Sequence, residues 1–333
     1  MMDLIDTFGR QHRDLRVSLT DRCNLRCSYC MPHDFAEWIP GDHLLSTDEL
    51  MTVISVAAEC GVTGIRLTGG EPLLRPDVVD IVARIAALPN PPRIALTTNG
   101  LRLPGMAQDL RAAGLERVNI SLDTLDPERF KRLTYRDRHA DVLAGISAAQ
   151  EAGLLPVKVN AVLMRGINDD EAVPMLRHAL AEGWSLRFIE QMPLDAQGAW
   201  DRSAMINADE IFGMLAQEFA LEPVPTRGSA PAEEFIVDGG PATVGIIASV
   251  SKPFCAACDR LRLTADGQVR NCLFASDETD VRGVLRDPAL GEAEIREKVA
   301  ELLGLSVRAK LPGHGINDPG FLQPARPMSA IGG

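Results

Sequence analysis

No window of this sequence approaches the roughly 18 consecutive apolar residues of a membrane-crossing helix, so a membrane protein is not expected. The start, Met1-Met2-Asp3-Leu4-Ile5-Asp6, has no basic segment leading into an apolar run. No signal peptide is therefore expected, and the default address is the cytoplasm. Positive charge is in short supply: 34 Lys and Arg against 46 Asp and Glu leave a net charge of −12. A broad nucleic-acid surface needs clustered Lys and Arg and is disfavoured, whereas a small anion held in a local basic pocket is not. There is no Gly-Lys dipeptide, hence no P-loop, and neither G-x-S-x-G nor H-E-x-x-H occurs. Cysteines number only seven, and in a reducing compartment they are not expected to form structural disulfides.

What is present is an ordinary globular composition, 46% apolar and 24% charged over 333 residues, enough for one large domain or two. From residue 15 to about 192 a short alternating strand, a polar or glycine-bearing loop and a helix recur. The expected strands are Leu15–Thr20, Gly64–Thr68, Arg93–Thr97, Arg117–Leu122, Val157–Leu163 and Leu186–Glu190. Ser46-Thr47-Asp48-Glu49 resembles a capping start for a helix running to Cys60. Helical spacing recurs over Asp77–Leu88, Met106–Ala113, Asp141–Ala152 and Asp169–Glu182. Parallel strands need crossovers, so the expectation is an α/β fold, a partial parallel (β/α)6 barrel, with chemistry on the loops that follow the strands. Texture changes near residue 222, where Pro and Gly crowd. Two regions are expected, 1–222 and 223–333. The second has strand-like runs at Phe235–Val237, Thr243–Ile247 and Leu261–Thr264, a helix near Glu292–Leu303, and a Gly- and Pro-rich tail.

Six of the seven cysteines fall in two tight groups, as ligands do. Cys60 stands alone before Gly61 and reads as a small buried apolar residue. Cys23, Cys27 and Cys30 form C-x3-C-x2-C. Three thiolates on a four-iron cubane leave one iron open, which separates a catalytic cluster from a pure electron carrier. Structural zinc normally takes four protein ligands, and His33 reads as a surface loop residue. Cys255, Cys258 and Cys272 form C-x2-C-x13-C. Spacing alone allows a second cluster with an open iron, or zinc with an outside fourth ligand. Between these cysteines lies Arg260-Leu261-Arg262, which on a strand puts both guanidiniums on one side. Forked donors of that kind suit phosphate or a nucleobase edge.

The first motif, with Tyr29 before its last cysteine and Gly69-Gly70-Glu71-Pro72 after the second strand, resembles the radical S-adenosylmethionine (SAM) superfamily. The second, F-C-x-x-C-x-R-x-R-L with Cys272-Leu273-Phe274, resembles one branch of it, the GTP 3′,8-cyclases that begin molybdenum cofactor biosynthesis. Arg66-Leu67-Thr68, Val157-Lys158-Val159-Asn160, Gly166-Ile167-Asn168-Asp169, Arg187-Phe188-Ile189-Glu190 and the terminal Arg326–Gly333 match that family in order.

The resemblance implies two 4Fe-4S clusters and SAM as cofactors, with the C-terminal α+β region covering the barrel's open side and carrying the second cluster. Tyr29, Gly70, Glu71, Ser121 and Met192 are implied at the SAM site. Arg16, Arg66, Thr97, Lys158, Arg187, Arg260, Leu261 and Arg262 are implied contacts of GTP, with Arg16, Arg260 and Arg262 the implied catalytic group. The glycines of Gly-Gly-Glu-Pro would let the backbone approach the methionine moiety. Family members usually carry a basic residue where this chain has Gly64, which puts one phosphate contact in doubt. The implied reaction is radical abstraction of the ribose 3′ hydrogen, attack on guanine C8 and reduction to 3′,8-cyclo-7,8-dihydroguanosine triphosphate. An external electron donor is needed, and pathway logic supplies a cyclic pyranopterin monophosphate synthase to consume the product. The Gly-Gly tail either threads towards Arg260 and Arg262 or stays disordered. Oligomeric state, a homodimer among the options, is not set by the residues. A peptide-modifying radical enzyme has no use for the C-x-R-x-R-L element, and an iron–sulfur electron carrier has none for an open iron.

Overall fold

The computed structural model of the chain describes residues 3–31, 38–195 and 198–332; His33, Met1, Met2 and Gly333 lie outside them. Strands β1 (Asp14–Ser18), β2 (Gly64–Thr68), β3 (Arg93–Thr98), β4 (Arg117–Ser121), β5 (Lys158–Val162) and β6 (Ser185–Ile189) are the six expected ones, shifted by a residue or two at their ends. Between them run α1 (Thr47–Glu59), α2 (Val78–Ala86), α3 (Ala107–Ala112), α4 (Pro127–Thr134), α5 (His139–Glu151) and α6 (Ala172–Glu182). The predicted cap of α1 is present in full: the Ser46 side chain accepts from Glu49 N, and Glu49 returns the bond to the Ser46 backbone. Helix α4 was not expected. Asp126 caps it and Pro127 opens it, but only Phe130, Leu133 and Thr134 are buried, too thin an apolar stripe to stand out in the sequence.

The rest of the chain contributes α7 (Ala208–Leu215), β7 (Leu221–Pro223), β8 (Glu233–Val237), β9 (Thr243–Ile247), β10 (Arg260–Leu263), β11 (Gln268–Arg270), β12 (Thr279–Asp280), α8 (Arg282–Leu285), α9 (Glu292–Arg308) and α10 (Met328–Ile331). All twelve strands form one sheet in the order β12-β11-β10-β1-β2-β3-β4-β5-β6-β9-β8-β7. Strand β10 pairs parallel with β1 and β9 parallel with β6. The parallel run is thus eight strands long, and both edges of the six-stranded barrel wall are continued by the C-terminal region. Antiparallel pairs end the sheet on each side. One face of the wall carries Leu15, Val17, Ile65, Leu67, Val118 and Val159, all buried against the helices. Cys60 is 2% exposed within that core, as its sequence context suggests. No helix among the described residues is long and apolar enough to cross a membrane.

Candidate active site

The other face of the wall encloses a cavity of about 850 Å³. Strand register decides what lines it, because residues paired across parallel strands point the same way. Asp14, Gly64, Arg93 and Arg260 share one row of the sheet, and Arg262, Arg16, Arg66, Ala95 and Arg117 the next. Above them come Thr97, Asn119, Lys158 and Ser185, then Ser121, Asn160, Arg187 and Gly245. The implied residues Arg16, Arg66, Thr97, Ser121, Lys158, Arg187, Arg260 and Arg262 therefore lie on one face, and every one lines the cavity. Leu261 does not. It pairs with Leu15 and is fully buried in the core on the opposite face, so its side chain cannot reach the cavity.

Around these cations hydrogen-bonding capacity is left open. Arg16 Nε, Arg66 Nε and Nη1, and Arg187 Nε are buried with no acceptor among the described residues. Burial, then the neighbouring guanidiniums, holds Arg16 well below its ordinary pKa; burial, partly offset by Asp14, does the same more weakly at Arg66. Lys158 is brought down to about 8, by burial first and then by Arg187. Arg187 is the partly neutralised member, 2.8 Å from Glu234, and Gly245 opposite leaves room for it, since a Cβ there would sit 3.0 Å from Arg187 Cγ. Clustered buried cations repel each other, and an anion entering the cavity relieves that repulsion while taking up the free donors.

Loops at the carboxyl ends of the strands close one side. The loop after β1 carries Cys23, Cys27 and Cys30, and all three line the cavity. Gly69 and Gly70 dock directly against this loop: a Cβ on Gly69 would meet Thr20 O at 2.4 Å, and one on Gly70 would meet Asp21 O and Arg22 O at 2.4 Å. Gly70 N donates to Thr20 O and Glu71 N to Arg22 O, both at 2.7 Å. The close approach that demands glycine in this structure is to the cysteine loop itself. Glu71, 1% exposed, accepts from Thr98 Oγ1 (2.7 Å), Asn99 N (2.7 Å) and Leu73 N (3.0 Å). Asn99 in turn donates to Asn24 Oδ1 at 2.7 Å. The Gly-Gly-Glu-Pro carboxylate is a strut joining the loops after β2 and β3 to the cysteine loop. Tyr29 donates to Asp123 at 2.7 Å, and burial raises the Asp123 carboxyl to about 6. Burial likewise raises the thiols, Cys23 to about 11 and Cys30 to about 12.

Cys255, Cys258 and Cys272 line the far side of the same cavity. Here cations dominate. Arg260 and Arg227 each stack on Phe254, 5.0 Å from its ring centre, and Arg260 Nη2 donates to Ser229 O at 2.7 Å. Burial opposes ionisation of Cys258, yet Lys310 and Arg260 together carry its thiol below the ordinary value. The tail crosses between the two cysteine groups. Backbone of Ser329 hydrogen-bonds Cys30, and Arg262 Nη1 donates to Gly332 O at 2.5 Å. Of the two readings of the tail, the threaded one holds as far as Gly332. Met192 and Met328 line the cavity beneath it.

Two residues of the site were not singled out in the sequence, Arg117 in the cavity lining and Lys310 beside Cys258. Arg117 could have been found, since it alternates with Asn119 and Ser121 on one strand. Lys310 gave no signal, lying 38 positions beyond Cys272. The donor sets suit cubanes. Each is a set of three free thiols on the cavity wall, enough to hold three irons of a cubane and leave the fourth open.

Comparison with known proteins agrees with this geometry. Residues 17–179 match the radical SAM superfamily and residues 184–313 match the family described as Molybdenum Cofactor Synthesis C. The chain is 57% identical to the GTP 3′,8-cyclase of Streptomyces coelicolor, over 99% of this chain and 96% of that one. It is 53% identical to GTP 3′,8-cyclase 2 of Mycobacterium tuberculosis, over 99% and 92%. Among solved structures, Streptococcus suis SuiB shares the fold at 12% identity, with a TM-score of 0.59 over 92% of this chain and 68% of that one. With two cysteine triads on one cavity and full-length likeness to these relatives, the chain belongs to the radical SAM superfamily and, within it, to the GTP 3′,8-cyclase family.

Proposed function

We propose that this chain cyclises GTP to 3′,8-cyclo-7,8-dihydroguanosine triphosphate, the first step of molybdenum cofactor biosynthesis. The observation that carries the reading is the set of buried, unpaired guanidinium donors on Arg16, Arg66 and Arg187 between two cysteine triads. A triphosphate carries roughly four negative charges, and several fixed cations are needed to hold it in a desolvated cavity. Cys23, Cys27 and Cys30 hold the SAM-binding cluster, and Cys255, Cys258 and Cys272 the second. Bound there, the first cluster and SAM supply the one-electron chemistry that opens the ribose C3′–H bond and lets C3′ join guanine C8.

The protein's own part is placement. Arg66, Lys158 and Arg187 grip phosphate, while Arg260 and Arg262 hold the nucleoside end against the second triad. Tyr29, Gly70, Ser121 and Met192 border the SAM side; Glu71 acts through the loops it ties. The tail and the loop bearing Arg227 exclude water. In this reading residues 1–222 make the radical and grip the phosphates, and residues 223–333 carry the second cluster and bind the nucleoside end. An external one-electron donor, a downstream synthase that consumes the labile product, a cytoplasmic setting for the thiols and a homodimer complete the proposal. The test is anaerobic turnover with GTP deuterated at ribose C3′. Deuterium should appear in 5′-deoxyadenosine; its absence, or 5′-deoxyadenosine formation indifferent to GTP, would sink the reading.

A further inference from the structure

Lys310 is a cation in an unusual place. It lies two residues past the end of α9, where a lysine is ordinarily solvated, yet it is 5% exposed. Its Nζ donates to Arg260 O at 2.8 Å and to Cys258 Sγ at 3.4 Å. No carboxylate pairs with it among the described residues; the anionic groups nearest it are Cys258 and Cys272. A buried ammonium without an anion is strongly disfavoured. Lys310 therefore turns its ammonium onto a ligand sulfur of the second triad, with a main-chain carbonyl as its other partner.

The surrounding chain fixes this contact. Arg10, paired with Asp6 at 2.5 Å, donates from Nη1 to Cys255 O at 2.7 Å and from Nη2 to Leu311 O at 2.7 Å. One guanidinium thus spans the residue after Lys310 and the first cysteine of the triad. Among the described residues, no lysine or arginine hydrogen-bonds a sulfur of the other triad. Donors to Cys23 are the neutral Leu25 N at 3.4 Å and Asn99 Nδ2 at 3.8 Å, and the nearby Arg26 spends its Nη1 on the carbonyls of Cys23 and Leu25.

We infer that Lys310 sets the reduction potential of the second cluster, holding it above the potential it would have without the ammonium at Cys258. A positive charge and a hydrogen bond to a ligating sulfur both favour the more negative, reduced state of a cluster. The consequence is a division of labour: the cluster on Cys23, Cys27 and Cys30 stays the stronger reductant, and the second is poised differently while it holds substrate. The inference rests on the two-cluster reading above.

The test is an anaerobic redox titration of the reconstituted full chain, followed by electron paramagnetic resonance, for wild type, Lys310→Met, Lys310→Gln and Lys310→Arg. About eight irons per chain establish both clusters; about four would overturn the two-cluster reading instead. Lys310→Met should move the second cluster's midpoint to more negative potential and leave the first unchanged. Lys310→Gln, which keeps an N–H but not the charge, should shift it less, and Lys310→Arg should restore it. Unshifted midpoints in the fully loaded neutral variants overturn the inference. Should methionine prevent loading, the glutamine variant decides; loss of the second cluster from both makes Lys310 an assembly residue and overturns it too.

Discussion

The two cysteine triads face each other across one cavity but are built in opposite ways. The first is held by loop-to-loop packing with neutral donors and buried carboxylates nearby, Glu71 beside Cys23 and Asp123 beside Cys27 and Cys30. The second is set among cations, Lys310 and Arg260 against Cys258 and Arg262 beyond. Both donor sets leave one iron of a cubane free. The difference teaches that surroundings, not ligand number, assign the tasks. The triad whose sulfurs meet neutral donors suits a strong reductant acting on a sulfonium; the triad ringed by guanidiniums suits an anionic nucleotide.

The broadest way to break this comparison is to remove one triad at a time. Cys27→Ser should abolish 5′-deoxyadenosine formation outright, while about four irons remain on the second triad. Cys258→Ser should also leave about four irons and abolish cyclised product, yet retain reductive SAM cleavage that no longer responds to GTP. Iron and sulfide analysis with chromatography of both products checks this. Equal losses of 5′-deoxyadenosine in the two variants would show that the triads are not separate in task.

A second test acts on the packing of the first triad alone. In Gly70→Ala the new Cβ has nowhere to go, meeting Asp21 O and Arg22 O at 2.4 Å, both backbone. Overpacking of this kind costs about 1–3 kcal/mol, here concentrated on the cysteine loop. SAM cleavage should fall by at least tenfold and iron drop towards the second cluster alone. Glu71→Gln should do less, leaving the fold of the strut but weakening three bonds, each worth about 1 kcal/mol or more at a buried acceptor. Thermal melting and iron content read both; a loss from the second triad instead would contradict the assignment of the strut.

Much of this was legible in residue order, for identifiable reasons. Strands such as Gly64–Thr68 were found to the residue because alternation and flanking glycines mark a buried parallel strand locally. The triads were found because ligand spacing is local as well. Parity along a strand gave the common face of Arg260 and Arg262. Sequence did not show that β10 lies parallel beside β1, which pairs Arg16 with Arg262 across 246 positions. That pairing is a tertiary fact, and with it came the single cationic face. The strands β7, β11 and β12, two or three residues each, exist only through their partners. Lys310 was invisible for the same reason: a lone lysine after a helix carries no pattern, and only packing brings it to Cys258.

The substrate half of the cavity should also be the pH-sensitive half. Lys158, held at about 8, is charged below that pH and loses its proton above it. The grip on an anionic substrate is therefore complete in mild acid and weakens as pH rises past 8. One charge-assisted bond is worth about 1.5–3 kcal/mol, so KM for GTP should climb about tenfold by pH 9 to 9.5. KM for SAM should change much less over this range, since the titratable group on Tyr29 is Asp123, which at about 6 has already lost its proton. Lys158→Arg keeps its charge throughout and should flatten the GTP profile. A profile unchanged by this substitution would move the titration elsewhere.

The smallest expected effect concerns the strap between the triads. Arg326 forks onto both oxygens of Asp266, at 3.1 and 2.9 Å, and its Nε lies 2.8 Å from Glu278, which also binds Arg270. This latch sits just before α10, the short helix that delivers Ser329 to Cys30 and Gly332 to Arg262. Arg326→Gln removes the fork without touching either cysteine group or any cation that lines the cavity. The tail then samples open positions, and a half-buried bidentate pair is worth about 1–2 kcal/mol. Turnover of GTP should fall by about three- to tenfold with KM for SAM unchanged. Because Gly332 O occupies Arg262, loosening the tail also frees that guanidinium. If GTP turnover instead rises, the strap blocks the substrate side and does not organise it, and the tail then belongs to neither triad but gates the space between them.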